Sequence, residues 1–303
     1  MRLVVHGQQA FGKAVLERLL ERGEDVVGVF CAPDREGRPT DPLKELALEK
    51  GMVVHQPASW KTDEALELMR SFEPDLCVMA YVTLFVPQPA LDAPKLGTIQ
   101  YHPSLLPRHR GPSSINWPII QGERTTGLTI FWPDEGLDEG PILLQKEVEI
   151  GPDDTLGSLY FNHLFPMGVD AMVEAIDLVR DGKAPRIEQD SQATYESWCR
   201  KADARIDWGR PAAEVHNLIR GTDPQPGAWT VIGGNEVQVY DSAVGRQSGQ
   251  PGSVLSVEDD GVEVATSDGS IVVKRLRPKG GKKMGAGEHA REIGLSTGTR
   301  LGA

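Results

Sequence analysis

Leu3-Val4-Val5-His6-Gly7, then residues 11–22, then Val26-Val27-Gly28-Val29-Phe30 decide the architecture of the first half of the chain. Leu3-Val4-Val5 is an apolar run of strand length, and Gly7 opens a turn. Phe11, Val15 and Leu19 recur at helical spacing, and Gly23 suits the position just past a helix end. Val26 to Phe30 is the next strand. The pattern repeats: a helix over 43–50 stops at Gly51, Val53-Val54 is a strand, a helix covers 63–72, and Leu76-Cys77-Val78-Met79-Ala80 is a strand again. This alternation predicts an α/β fold, a doubly wound, mostly parallel sheet with helices on both faces. Function then belongs at the carboxyl ends of the strands.

Residues 98–101 and 126–132 are further strand candidates, and 142–150 is an outlying strand or hairpin arm. The stretch 156–181 reads as one long helix ending at Gly182. Residues 184–195 are polar, contain proline and carry little pattern. From Ala213 the character changes: a helix over 213–220 precedes short segments broken by Gly227, Gly233-Gly234, Gly245, Gly252, Gly261 and Gly269. Short strands at regular turn spacing suggest a small OB-like β-barrel. The expected division is an N-terminal domain over 1–183, a linker over 184–205, an OB-like domain over 206–295 and a frayed tail over 296–303.

The 303 residues suffice for two ordinary cores. A net charge of −12 argues against a surface built for nucleic acid or an anionic membrane, although a local basic patch survives at Arg275, Arg277, Lys279, Lys282 and Lys283. A solvated edge is the default reading of that patch, with an anionic partner as the alternative. Cys31, Cys77 and Cys199 lie far apart without a CxxC, so neither a disulfide framework nor a metal site is indicated. The N-terminus has no apolar leader and no long apolar run follows, which predicts a cytoplasmic enzyme with no membrane partner.

Gly7-Gln8-Gln9-Ala10-Phe11-Gly12-Lys13-Ala14 fits GxxxxGK, but Ala14 replaces the hydroxyl residue that would hold magnesium. Gln9 stands where a dinucleotide pattern needs its second glycine. A tight strand-to-helix turn is the better reading.

His102-Pro103-Ser104-Leu105-Leu106-Pro107 follows a strand, and Gly136-Leu137-Asp138-Glu139-Gly140 follows a later one. Prolines and glycines fix both turns, so an imidazole and a carboxylate sit on two rigid loops, ready for general acid–base work. The alternatives are a structural histidine and a turn-stabilising aspartate. Gln100, two residues before His102, faces the same side of its strand and brings an amide beside the ring. Asn116 starts or caps a helix.

These segments resemble the 10-formyltetrahydrofolate-dependent formyltransferase family. The resemblance rests on His102 to Arg108 with Gly111, and on Gly136 to Gly140. It extends through Gly7-Gln8, Phe11-Gly12, Asn116-Trp117, Ile130-Phe131-Trp132, Leu143 to Glu147, Leu164-Phe165-Pro166, Ile206-Asp207-Trp208, Ile219-Arg220-Gly221 and Pro226 to Trp229. It is most like the hydrolase domain of formyltetrahydrofolate dehydrogenase, and similar also to methionyl-tRNA formyltransferase. It implies a formyltransferase fold followed by an OB-like domain, with 10-formyltetrahydrofolate as formyl donor and neither metal nor NADP required. His102 and Asp138 match the family's catalytic pair. The family's usual asparagine two residues before the histidine is Gln100 here, which keeps the amide donor and adds a methylene. Folate would lie between Ala80, Tyr81, Phe85, Val86 and Pro87 on one loop and Asp134, Glu135 and Leu137 on another.

Three readings of the acceptor stay open. One passes the formyl group to water or a small amine. A second passes it to methionyl-tRNA, but the stretch 31–43 is short and charge-balanced where the tRNA enzyme carries a long basic loop, and the net charge is acidic. The third is a non-catalytic folate-binding regulatory protein, disfavoured because His102 and Asp138 are both in place. The carrier and aldehyde-dehydrogenase segments of the full dehydrogenase are not in this sequence, so oxidation of the formyl group is not expected.

Overall fold

The computed structural model describes residues 1–302. Its first half follows the alternation of the sequence: β1 (Arg2–Gly7), α1 (Gln9–Glu21), β2 (Asp25–Phe30), α2 (Pro42–Glu49), β3 (Val54–His55), α3 (Asp63–Ser71), β4 (Leu76–Ala80), α4 (Gln88–Leu91) and β5 (Thr98–His102). Then come α5 (Asn116–Ile120), β6 (Thr125–Phe131), β7 (Ile142–Glu149), α6 (Leu156–Leu159), a π-turn over Tyr160–Leu164 and α7 (Phe165–Arg180). The last part holds α8 (Ala212–Gly221), β8 (Ala228–Ile232), β9 (Asn235–Val244), β10 (Val254–Glu258), β11 (Gly261–Ala265), β12 (Ser270–Pro278), β13 (Met284–Gly285) and α9 (Ala286–Glu292). The chain forms two compact units. The first comprises Met1–Gly111, Gly127–Val148 and His163–Tyr195, and the second holds the remaining described residues.

In the first unit seven strands run in the order β3-β2-β1-β4-β5-β6-β7. β1 pairs in parallel with both β2 and β4, so the chain winds outward to β3 and then returns to the other side of β1. That reversal makes the carboxyl ends of β1 and β4 the switch point, where such sheets open a crevice. Strand alternation sends Leu3 and Val5 to one face, among Phe11, Leu16 and Leu19 of α1 and Met172 and Ile176 of α7. Val4 goes to the other face, among Phe30, Trp60, Met69, Cys77 and Met79. Gly7 has no substitute, because a Cβ there would collide with the Ala80 carbonyl oxygen.

Two features depart from the expected first unit. β6 runs antiparallel to β5, with His102 opposite Thr129 and Gln100 opposite Phe131. The loop after β6 therefore leaves the sheet at the level of Gln100, not beyond the carboxyl end of β5. The single helix expected over 156–181 is interrupted by the π-turn, just ahead of Pro166 at the start of α7. Proline brings no N–H and its ring excludes the carbonyl one turn back, so the bonding pattern widens before it. Leu164 O is not wasted: it accepts from the buried Tyr101 hydroxyl at 3.3 Å.

The second unit contains an all-antiparallel sheet in the order β10-β11-β12-β9-β8, with β13 alongside β12. Val237, Val239, Val264, Ile271, Val273 and Leu276 fill its core with residues of α8 and α9. The fraying expected at the C-terminus is a misreading. Gly298 N donates to Val254 O, Val254 N donates to Thr299 O, and Gly302 N donates to Val231 O. The segment thus bonds to both edge strands, β10 and β8, and Leu301 is buried in the core. Edge strands offer unpaired backbone groups, and a nearly featureless peptide satisfies them without any side-chain pattern that a sequence would reveal. Among the described residues no helix is long and apolar enough to cross a membrane.

Candidate active site

The first unit concentrates strained backbone at the ends of its strands. Gln9 (φ 60°) follows β1, Tyr81 (φ 64°) follows β4, His109 (φ 57°) lies in the loop after β5, and Asp138 (φ 57°) in the loop after β6. Left-handed conformation at non-glycine residues costs roughly 1–3 kcal/mol each, so surrounding bonds must hold it. Asp41, the N-cap of α2, accepts from Gln9 N at 2.9 Å and from Leu43 N at 2.9 Å. Gln8 donates to Thr83 Oγ1 at 3.1 Å, tying the loop after β4 to the end of β1.

His102 ends β5 with its side chain 7% exposed, as is that of Asp138, and Nδ1 lies 3.6 Å from Asp138 Oδ2. The other ring nitrogen, Nε2, is 2.9 Å from the His109 carbonyl oxygen. A carbonyl only accepts, so Nε2 carries a hydrogen and Nδ1 is the nitrogen turned to the carboxylate. The 3.6 Å gap is longer than a hydrogen bond and is an ion-pair distance if Nδ1 is also protonated. Asp138 Oδ2 accepts from Gly111 N at 2.9 Å, so one carboxylate oxygen reaches both loops. Gly140 allows the turn, since a Cβ there would meet the Trp132 carbonyl oxygen.

The loop after β5 is braced from below. Ser104 Oγ donates to Arg108 O at 2.7 Å, and Thr129 Oγ1 donates to Ser104 O at 2.7 Å. Leu106 N donates to Thr129 Oγ1 at 3.0 Å, and Gln145 Nε2 donates to Leu106 O at 2.8 Å. Buried hydrogen bonds of this kind fix loop geometry because breaking one strands a polar group away from water.

Of the residues singled out from sequence, His102 and Asp138 meet. Gln100 stays half-buried on the same strand, opposite Phe131. Ala80 ends β4 and is buried, whereas Tyr81 and Phe85 are 47% and 60% exposed, with Val86 and Pro87 between exposed and buried. Lys61 Nζ lies 5.3 Å from the Phe85 ring centroid. On the other loop Leu137 is 56% exposed, Glu135 is exposed, and Asp134 accepts from Gly136 N at 2.9 Å. Among the described residues no hydrogen bond or ion pair draws the 80–87 and 134–137 loops together. Asn116 opens α5, as expected, and donates to Gly221 O at 2.8 Å within the second unit, a structural bond.

Sequence reasoning missed the residues that join the two loops. Gln189 Nε2 donates to Asp138 O at 2.9 Å and to Gly140 O at 2.8 Å, while its Oε1 accepts from Arg110 Nη2 at 2.8 Å. Thr194 Oγ1 accepts from His109 N at 2.8 Å. Both lie in the stretch read as linker. One signal was available: a long stretch without secondary structure is uncommon in a compact protein unless it is functional.

Residues 1–176 match the Formyl transferase family, and residues 199–293 match the Formyl transferase C-terminal domain. The cytosolic 10-formyltetrahydrofolate dehydrogenase of Xenopus laevis is 40% identical over 95% of this chain, which spans only about a third of that protein's length (34%). The methionyl-tRNA formyltransferase of Trichlorobacter lovleyi is 39% identical over 99% of this chain and 96% of its own. The fold is shared with HypX from Aquifex aeolicus in complex with tetrahydrofolic acid, at a TM-score of 0.69 and 21% identity, over 98% of this chain and 48% of that one. It is shared also with WlaRD, a sugar 3N-formyl transferase, at a TM-score of 0.69 and 18% identity, over 90% of this chain and 97% of that one. With a family match over more than half its length and a full-length relative at 39% identity, the chain belongs to the formyl transferase family.

Proposed function

We propose that the protein transfers the formyl group of 10-formyltetrahydrofolate to water or a small amine through His102 and Asp138. The observation that carries this reading is the buried His102 Nδ1–Asp138 Oδ2 contact, built by two strained loops at the edge of the switch point. In the hydrolytic reaction the water oxygen bonds to the formyl carbon and the C–N10 bond breaks. The water gives up both protons, one ending on N10 and one in solvent, and formate leaves. Asp138 accepts the nucleophile's proton, directly or through a water, and orients His102. Negative charge develops on the formyl oxygen, where a protonated His102 Nδ1 and the Gln100 amide are the candidate donors, Nε2–H being held by the His109 carbonyl; one such donor is typically worth about 3 kcal/mol. Tyr81 and Phe85 on the loop after β4, and Leu137 next to Asp138 in sequence, are left exposed and suit the ring system of a folate. No step calls on a metal or NADP, and the folate is consumed as a substrate.

A second reading has its own support. Two relatives that match this chain from end to end are methionyl-tRNA formyltransferases, covered to 96% and 98% of their length. Against it stand the acidic net charge and the short segment after β2, where Asp34 is paired with Lys44. The proposed division of labour keeps the reacting side chains His102 and Asp138 in the N-terminal domain over 1–183.

Single-turnover formate release from 10-formyltetrahydrofolate, without acceptor, tests the proposal. His102→Ala and Asp138→Asn are expected to slow it by about 10²–10⁴-fold, the usual contribution of a positioned acid or base. An unchanged rate in either variant overturns the assignment. If native protein binds folate but releases no formate, charged methionyl-tRNA and small amines are supplied in turn; labelled formyl-methionyl-tRNA would establish the second reading.

A further inference from the structure

We infer that the segment from Gln189 to Thr194 is part of the reacting machinery, as a strap that sets the geometry of His102 against Asp138. The inference rests on the roles proposed for those two residues and adds the residues that position them. One end of the strap joins the two loops, the other braces the His102 loop, and each acts on a residue in left-handed conformation.

At one end, the Gln189 amide donates to the carbonyls of Asp138 (2.9 Å) and Gly140 (2.8 Å). Its oxygen accepts from Arg110 Nε (3.1 Å) and Nη2 (2.8 Å), and Arg110 Nη1 lies 3.4 Å from Glu139 Oε1. One side chain therefore uses donor and acceptor at once to join the Asp138 loop to the His102 loop. The acceptor carbonyl belongs to Asp138 itself, whose φ of 57° needs an external restraint.

At the other end, Thr194 Oγ1 accepts from His109 N (2.8 Å), Thr194 O accepts from Arg110 N (3.1 Å), and Thr194 N donates to Pro107 O (3.2 Å). His109, also strained at φ 57°, supplies the carbonyl that receives His102 Nε2–H. The ring orientation of His102 is thus fixed through His109 by Thr194. A side chain whose supporting groups are misplaced by an ångström loses catalysis without losing binding, because alignment matters in the transition state and not in the ground state. Gln189 and Thr194 are positioning residues: they act through the backbone of their neighbours.

The test compares Gln189→Ala, Gln189→Glu, Thr194→Val and Thr194→Ser in the full chain. Formate release and folate affinity are measured alongside ¹⁵N NMR of the His102 ring. Gln189→Ala and Thr194→Val are expected to lower kcat tenfold or more while folate Kd stays within twofold. Gln189→Glu, which keeps the acceptor for Arg110 and loses the donor to both carbonyls, falls with them. Thr194→Ser retains the hydroxyl and restores kcat to within threefold of native. The His102 nitrogen shifts move in Thr194→Val and not in Thr194→Ser. Unchanged kcat and unmoved His102 shifts in Gln189→Ala and Thr194→Val overturn the inference, as does a loss matched by the fall in folded fraction. If Gln189→Ala does not fold, the Thr194 pair decides. The NMR arm reads the strap even if the native protein shows no turnover, which separates its failure from that of the proposed reaction.

Discussion

The two units distribute backbone strain in opposite ways. In the α/β unit Gln9, Tyr81, His109 and Asp138 are left-handed, Gln9 as the first residue of α1 just past β1 and the others on the loops after β4, β5 and β6; Glu73 (φ 44°), just past α3, is the exception. In the antiparallel unit the non-glycine case is Asp241 (φ 49°), inside β9. That unit is organised around an apolar core of Val237, Val239, Val264, Ile271 and Val273. The contrast separates geometry held against its own preference from geometry that packing makes favourable. Strain of the first kind persists only where neighbouring bonds over-determine it, which is why it gathers at reacting centres.

The comparison breaks most forcefully in the core of the second unit. Ile271 is fully buried, and Ile271→Ala is expected to cost about 2–5 kcal/mol of stability, the range for such truncations. Formate release per folded molecule should stay as in the native protein. Denaturant unfolding paired with single-turnover kinetics checks both halves. A rate that falls further than the folded fraction would mean that the second unit supports the chemistry as well as the fold.

The first unit carries a pH liability of its own. His6, on β1, is buried against Trp60, with ring centroids 4.9 Å apart, and burial pulls its pKa from 6.5 down to about 3. Its Nδ1 and the Trp60 Nε1 have no partner among the described residues. The folded state thus keeps His6 neutral while the unfolded chain takes up a proton below pH 6.5. Stability is fully present above 6.5 and is lost as the pH falls toward 3, by about 1.4 kcal/mol per pH unit. Between pH 7 and pH 5 this one group should remove about 2 kcal/mol. His6→Leu should flatten that part of the profile in urea melts at the two pH values. Equal slopes in native protein and variant would refute the assignment to His6.

Much of the first unit was legible because each local signal had a single physical meaning. Leu76 to Ala80 is apolar without alternation and is a strand buried on both faces. Gly23, Gly51 and Gly182 follow helices and all have positive φ, as a left-handed residue past a helix end must. The proposed pair was legible for a similar reason, since Pro103 follows His102 and Gly136 and Gly140 bracket Asp138. What failed to show was whatever depends on partners distant in sequence. Gln189 has no periodicity and no neighbour of matching chemistry; its meaning lies in carbonyls 49 and 51 residues away. The C-terminal segment is the same case, a polar stretch whose partners are the backbones of Val231 and Val254. The antiparallel turn of β6 was hidden because an apolar run gives a strand and not its direction.

The finest test of the contrast uses glycine as a probe. Left-handed backbone costs an ordinary residue roughly 1–2 kcal/mol, and glycine relieves it while adding up to about 1 kcal/mol of unfolded-state entropy. Asp241→Gly and Tyr81→Gly should therefore each leave stability unchanged or raise it by up to about 2 kcal/mol. Asp241 gives up only a surface contact, 3.6 Å from Lys274. Tyr81 gives up a half-exposed ring on the loop assigned to the folate. The two variants should look alike in thermal melts and differ in folate affinity, with Tyr81→Gly weaker and Asp241→Gly native. Equal affinity in both would detach the loop after β4 from the donor site, and a loss in Asp241→Gly would show that strain in the second unit also serves binding.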